Sequence, residues 1–530
     1  MTVSAAARVV ASGVVVRHPV PWLLAWVLAH VLARLWLSPA LELDEAEQML
    51  WSQRLAWGYG AQPPLYTWLQ VGVATLLGPG LLALAMLKMA LLALTYWCLW
   101  RAAREVLPPR AAWWAAASLV WLPIMGWESL RDLTHTVLVC ASVAATWWLV
   151  LRQLQRPQPS GFVALGLVLA LGLLSKYSFA LFALALVLAV LSGRETRPAL
   201  WARGWWYLPL TLAAVLLPHV LWLWRHWQLA SRGTLTKMQL QPEASVWHGL
   251  SSLLVDGVLA NLLLWLLLAL AVFGRAWWCP LPLQGAVAGQ VTGHHVVEPV
   301  PPAWLQPLLW RYLGAVAVLL LGMVLVGDVT HFKARWVHPL LLVVPLLAFV
   351  ARPALAHHPR SHWYTSGVVL GFVLFGALFT ARPWLNGRLD RLNEINEPIV
   401  ALVQHLQRAG YDGQSPILAS DAVLGGMLRA QFPAAPVAVC RPELLDDLPV
   451  CVAQARIFWA DGDGTAAALG PRNVLLVARQ IDPAAAWWRA LGPLPPGAVV
   501  QTLYLPYTHA SASALPVRYQ FVWPSAPLQP

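Results

Sequence analysis

The chain is 530 residues long, 59% hydrophobic and only 11% charged, with 33 tryptophans. This composition excludes a water-soluble globular protein and describes a polytopic membrane protein. The formal net charge of +12 invites a nucleic-acid partner, but the basic residues fall between apolar runs and form no stripe interleaved with aromatics. That is the positive-inside pattern of a membrane protein, and a nucleic-acid partner is not predicted.

Apolar runs near the roughly 20 residues needed to cross a bilayer predict spans near 20–37, 81–100, 111–127, 133–151, 162–174, 179–193, 205–224, 251–273, 311–327, 336–351 and 363–381. The first resembles a signal peptide in ending on Ser38-Pro39-Ala40, yet with so many later spans it reads as an uncleaved anchor. With the N-terminus inside, Arg101, Arg104 and Arg110, then Arg152 and Arg156, then Arg194, Arg197 and Arg203 all fall in cytoplasmic connections. Counting the apolar stretch Leu65–Leu77 as a further span would reverse that bias. Leu43–Leu77 is therefore predicted as juxtamembrane helices along the outer face, and the C-terminus lies outside. The short pair at 162–174 and 179–193 is broken by Ser175-Lys176-Tyr177-Ser178, which puts a lysine at the outer boundary. Residues 275–310 read as a polar, Pro/Gly-rich cytoplasmic loop.

After Pro383 the pattern changes. A helical stretch at Asn393–Ala409 precedes strand-like runs at Pro416–Ala419, Pro436–Val439, Ile457–Trp459, Asn473–Ala478, Val499–Leu505 and Tyr519–Trp523. The expected organisation is an α-helical membrane domain of about eleven spans over 1–382, whose first outer loop is 38–80, and a small extracytoplasmic α/β domain over 383–530. Of five cysteines, Cys440 and Cys451 share this tail and can pair in an oxidising compartment; the others read as small apolar fillers. His294-His295 and His357-His358 lack acidic or cysteine companions, so no metal site is predicted.

No Walker A sequence, no GxGxxG after a strand, no GxSxG and no HExxH occurs. What remains is four polar groups at predicted outer boundaries. The first is Glu42-Leu43-Asp44-Glu45-Ala46-Glu47, four of the chain's 23 acids in six positions, followed by Tyr59, Gln62 and Tyr66. The second is Glu128, Arg131, Asp132, Thr134 and His135; the third is Lys176 with Tyr177. The fourth follows Asp328 as Thr330-His331-Phe332-Lys333-Ala334-Arg335-Trp336. Such a set offers carboxylates as bases and cations as phosphate clamps. Each also has a plainer use. Asp44 and Glu45 suit a helix N-terminus, Arg131 and Asp132 a structural pair, and Lys176, Lys333 and Arg335 the anchoring of span ends. The residues alone leave both uses open.

The run Leu43-Asp44-Glu45-Ala46-Glu47, then Trp51, Ala56-Trp57-Gly58-Tyr59 and Pro63-Pro64-Leu65, resembles the first outer loop of GT-C glycosyltransferases, in the bacterial branch near glycosyltransferase family 39. That branch includes protein mannosyltransferases and lipid A aminoarabinose transferases. Ser175-Lys176-Tyr177 and His331-Phe332-Lys333-Ala334-Arg335-Trp336 also resemble segments of it, and the resemblance covers roughly 20–382. It implies transfer of a sugar from a polyprenyl-phosphate carrier to a glycolipid, glycan or protein acceptor at the periplasmic face of the inner membrane. The carrier-linked sugar is the donor substrate, and neither a cofactor nor a metal is implied. By this resemblance Asp44 is the catalytic acid, with Glu45 beside it, while Lys176, Arg131, Lys333 and Arg335 hold the donor phosphate. Tyr59, Gln62, Tyr66, Asp132, His135, Tyr177 and His331 line the substrate pocket. Aminoarabinose transferases carry an arginine close after the motif acid and a lysine before Pro-Pro, where this chain has Glu47 and Gln62. Phosphate binding therefore cannot rest on those positions. Two other classes fit less well. A flippase for lipid-linked saccharide should show inverted repeats and midplane charges, and a membrane-anchored binding protein would need only the tail.

Overall fold

The computed structural model describes residues 19–228, 245–277, 301–440, 450–455, 474–479, 487–488 and 499–523. Most of the 275–310 loop, His294-His295 and the strand-like run Ile457–Trp459 lie outside the described residues.

Among the described residues, eight helices are long and apolar enough to cross a membrane: α1 (Val20–Leu37), α4 (Leu81–Arg104), α6 (Thr134–Gln155), α9 (Tyr207–Arg225), α10 (Val246–Phe273), α11 (Leu305–Leu325), α12 (Ala334–Ala351) and α13 (Ser361–Arg388). The shorter α7 (Pro159–Ser175) and α8 (Phe179–Ser192) stand where the short pair was expected. Between α1 and α4 lie α2 (Leu43–Trp51) and α3 (Leu65–Leu77). The span expected at 111–127 is not one regular helix. It runs as α5 (Pro109–Ala117), a 3-10 turn at Ser118–Trp121 and a π turn at Ile124–Glu128. Pro123 has no N–H to donate, so a regular α ladder cannot continue through it.

The chain divides into two compact units. The larger comprises 1–28, 56–66 and 88–377. Its interior is aromatic: Trp114, Trp147, Trp265, Tyr312 and Tyr364 are fully buried. Hydrocarbon offers no hydrogen bonds, so a buried polar tip favours a protein partner, which all of these but Trp147 Nε1 have among the described residues. Trp265 Nε1 donates to Tyr364 Oη at 2.9 Å, Tyr364 Oη and Ser118 Oγ share a bond of 2.6 Å, and Tyr312 Oη donates to the Leu340 carbonyl at 3.0 Å.

The second unit comprises 29–55, 67–87 and 378–530. Among the described residues its centre is a five-stranded sheet of β1 (Ile417–Ala419), β2 (Val437–Val439), β3 (Leu475–Arg479), β4 (Gln501–Leu505) and β5 (Val517–Val522), in the order β2-β1-β3-β5-β4. Strand β1 runs parallel to β2 (Ile417 opposite Val437) and to β3 (Ile417 opposite Leu475), while β5 is antiparallel to β3 and β4. A parallel neighbour requires a crossover, which α15 (Ala422–Gln431) supplies between β1 and β2; α14 (Ile399–Arg408) precedes β1. One hydrophobic core joins Leu402, Leu406, Ile417, Leu428, Val437, Tyr519 and Phe521 to Ala40, Leu41, Ala46 and Met49. The first outer loop expected at 38–80 is thus shared between the two units, and its acidic portion packs into the core of the α/β fold. Cys440 and Cys451 form a disulfide, with Cα atoms 5.9 Å apart.

Candidate active site

The acidic motif folds as the first turn of α2, the place where carboxylates favour a helix by facing its positive end. Two of its acids serve architecture. Glu45, 1% exposed, pairs with Arg34 of α1 at 2.6 Å and accepts the Glu42 backbone N–H at 3.3 Å, half of a capping box. Arg34 also donates to the Ser38 and Ala40 carbonyls, each at 2.8 Å, tying the end of α1 to the start of α2. Glu42 is buried against Arg382 of α13. Asp44 and Glu47, by contrast, are only partly buried. Glu45, expected beside Asp44 as a catalytic residue, therefore sits in a buried ion pair that fixes the helix carrying Asp44.

In the larger unit the segments of Lys176, His135 and Tyr66 meet through direct contacts. Lys176 ends α7 in an extended conformation, and its Nζ donates to Thr136 Oγ1 at 2.9 Å. His135 donates from Nδ1 to the Ser175 carbonyl at 3.2 Å, and its ring lies 5.5 Å from that of Tyr66. The second and third groups are thus one cluster, which also touches the Pro-Pro-Leu-Tyr turn. Arg131 pairs with Glu128 at 3.3 Å and lies 5.9 Å from the Trp127 ring, while its Nε has no hydrogen-bond partner among the described residues. A pair this exposed contributes about 0–1 kcal/mol, so Glu128 holds Arg131 only lightly. Between Asp132, in extended backbone, and Thr134 stands Leu133 at φ 68°, a left-handed conformation that costs a non-glycine residue on the order of 1–2 kcal/mol. Tertiary packing sustains that strain beside the cluster.

Tyr59 and Gln62 exchange both backbone hydrogen bonds at 3.1 Å, closing a tight turn, and Tyr59 Oη accepts the Ala56 N–H at 3.0 Å. Burial raises the Tyr59 hydroxyl above its ordinary pKa. The fourth group is fixed by α10 at its π turn, Leu253–Leu259. Ser252 Oγ accepts the Phe332 N–H at 3.0 Å, and Asn261 Nδ2 donates to the Ala334 carbonyl at 3.0 Å. Lys333 lies 5.9 Å from the Trp336 ring and His331 6.3 Å from it; Arg335 is half-buried on the first turn of α12, which packs against α6 and α8. π turns inside α-helices recur at functional sites, and both here adjoin candidate groups.

Two residues escaped the sequence reading. Lys88, 2% exposed inside the apolar α4, donates from Nζ to the Arg131 carbonyl at 3.0 Å. Its signal was present, since a lone lysine in a span is a functional candidate by default. His219 of α9 donates from Nδ1 to the Trp57 carbonyl at 2.5 Å, which leaves Nε2 to accept from Tyr177 Oη at 3.4 Å. Beside it the Trp222 ring lies on Gly58, where a Cβ would come within 2.2 Å of the ring. His219 thus joins Tyr177 to the Trp57-Gly58-Tyr59 segment of the motif loop.

Apolar helices that carry Lys88 against the Arg131 carbonyl, and Lys176, His135 and Tyr66 in one cluster, fit a polytopic membrane protein with a polar site. Comparison with known proteins gives the class. Residues 61–222 match the dolichyl-phosphate-mannose-protein mannosyltransferase family. The chain is 31% identical over 440 residues to the lipopolysaccharide core galacturonosyltransferase RgtB of Rhizobium johnstonii, covering 79% of this chain and 83% of that one. To RgtA of the same organism, also a lipopolysaccharide core galacturonosyltransferase, it is 30% identical over 436 residues, with 79% and 81% covered. ArnT from Cupriavidus metallidurans, in a crystal structure bound to undecaprenyl phosphate, shares the fold at a TM-score of 0.56 and 15% identity, over 94% of this chain and 98% of that one. The chain belongs to the GT-C superfamily of integral-membrane glycosyltransferases, in the bacterial branch near glycosyltransferase family 39. It is a multi-pass membrane enzyme, and the flippase and binding-protein readings give way to that of a glycosyltransferase.

Proposed function

We propose that this glycosyltransferase moves a uronic acid from a polyprenyl-phosphate carrier onto the core of lipopolysaccharide, at the periplasmic face of the inner membrane. The relatives that carry the reading act on the lipopolysaccharide core as galacturonosyltransferases. The observation that carries the donor class is the fold shared with ArnT, whose crystal structure holds undecaprenyl phosphate. In this chain Lys88 meets the Arg131 carbonyl and Lys176 meets Thr136, and lysines among apolar helices suit a phosphate-bearing substrate.

In this reading Asp44 is the general base. The acceptor hydroxyl must lose its proton as it attacks the anomeric carbon, and a carboxylate takes it directly. The bond from that carbon to the carrier oxygen breaks in the same step, and the departing lipid phosphate carries away the bonding pair. Lys176, Arg131, Lys333 and Arg335 supply the charge that stabilises it, so the reaction as proposed needs no metal and no cofactor beyond the donor. Glu45 acts through position alone. Tyr59, Gln62, Tyr66, Asp132, His135, Tyr177 and His331 belong to the substrate pocket.

The test compares envelope glycolipids by mass spectrometry from cells with the wild-type chain, with Asp44→Asn and with no chain. The expected result is a uronic-acid increment on the core in the first only, with the variant present in the membrane at normal level. Full transfer by Asp44→Asn would remove the base assignment, and an increment on another molecule would correct the acceptor.

A further inference from the structure

We infer that the C-terminal α/β fold is the mount of the acidic helix, with Gly425, Gly426 and Gln53 as positioning residues for Asp44. This rests on the proposed role of Asp44. A nine-residue helix such as α2 is too short to be stable by itself, so its place is set by what it packs on.

Two attachments come from the sheet domain. The first is a seam between α2 and α15. A Cβ on Gly426 would stand 2.4 Å from both Cα and the carbonyl oxygen of Ala46 and 2.5 Å from its Cβ. The obstacle is backbone, which cannot swing aside as a side chain can. Beside it, a Cβ on Gly425 would stand 2.7 Å from Val439 Cγ2 and 3.4 Å from Leu50 Cδ2. Ala46 and Leu50 are four residues apart and share one face of α2, so the helices meet closely along that face.

The second attachment follows α2. The Gln53 carboxamide pairs with both backbone groups of Val437, donating to its carbonyl at 2.9 Å and accepting its N–H at 2.8 Å. Val437 begins β2, which stands at the edge of the sheet among the described residues. Gln53 thereby takes the place of a neighbouring strand and fixes the exit of α2 to the sheet.

Asp44 precedes Ala46 by two residues, about 200° round a helix of 3.6 residues per turn. It therefore lies across the helix from the seam, and any displacement of α2 from α15 moves its carboxylate by the same amount. General-base catalysis is sensitive to such shifts, since a misplacement of about 1 Å can cost on the order of a hundredfold in rate.

The experiment uses the full-length chain in nanodiscs, with undecaprenyl-phosphate-linked galacturonate as donor and lipopolysaccharide core as acceptor. Hydrogen–deuterium exchange of the peptide 43–53 is followed alongside. Gly426→Ala should speed exchange in that peptide, leave 134–155 as in wild type, and lower kcat roughly tenfold or more with KM for the donor nearly unchanged. Gln53→Leu is the gentler variant if Gly426→Ala fails to accumulate, and it should do the same to a smaller degree. Unchanged exchange in 43–53, faster exchange with full kcat, or a rise in donor KM at constant kcat would each overturn the mount. A failure of Asp44 as base shows differently, as transfer retained by Asp44→Asn, and the exchange readout stands without any turnover.

Discussion

The motif's acids divide by neighbourhood rather than by spacing. Glu42 and Glu45 each face a buried arginine, while Asp44, one residue from Glu45, remains partly open. Adjacent helix positions point about 100° apart, so one helix can send neighbouring acids to opposite duties. Removing one partner of a buried pair strands the other charge at a cost of about 3–5 kcal/mol. Glu45→Gln should therefore lower the melting temperature of the purified protein markedly. Arg34→Met with Glu45→Met should recover only part of this, because the Ser38 and Ala40 carbonyls lose their donor as well. Full stability of Glu45→Gln would show that the pair carries no such weight.

At the scale of elements, the α/β fold is closed by a polar cluster at the strand ends. Arg479, ending β3, pairs with Glu397 at 2.6 Å and with Asp421 at 3.2 Å. Asp421 also caps α15, its Oδ1 accepting the Leu424 N–H at 2.9 Å, and Tyr519 of β5 donates to Glu397. Burial nonetheless holds the Glu397 carboxyl above its ordinary value, outweighing the lowering by Arg479 and Tyr519. A carboxyl raised on folding gives its full stabilisation below the ordinary carboxylate range, and that is lost as pH rises through the raised value. The melting temperature of the wild type should accordingly fall, relative to Glu397→Gln, as pH climbs from about 4 toward neutrality. The slope is the readout, since the Glu397→Gln substitution also changes the group facing Arg479 at every pH. Parallel slopes would remove Glu397 as their source.

For the whole molecule, the arginine bias predicts that reporters fused after Gly60 and after Pro383 both signal from the outer compartment. A cytoplasmic signal at either point would invert the assignment of the site to the periplasmic face. Much of the architecture was legible in advance. Apolar runs marked α1, α4 and α6 to α13, and short apolar runs in the tail marked β1 to β5. The helix α15 was not legible, because Gly425 and Gly426 weaken its helical signal. The same glycines admit Ala46 at Gly426 and Val439 at Gly425, so the feature that hid the helix is the one that seats it.

Hydropathy and charge alone determined that this chain is a membrane protein with an α/β tail, because both follow from local composition. The acidic motif with its Pro-Pro-Leu, and the lysine and histidine motifs, pointed to the GT-C superfamily. Which acids pair with arginine, that Lys88 meets Arg131 and that His219 joins Tyr177 to Trp57 were decided only by the tertiary structure. Those contacts join residues 11 to 162 positions apart, and no local pattern encodes them. The role of a charge depends on what folding places beside it.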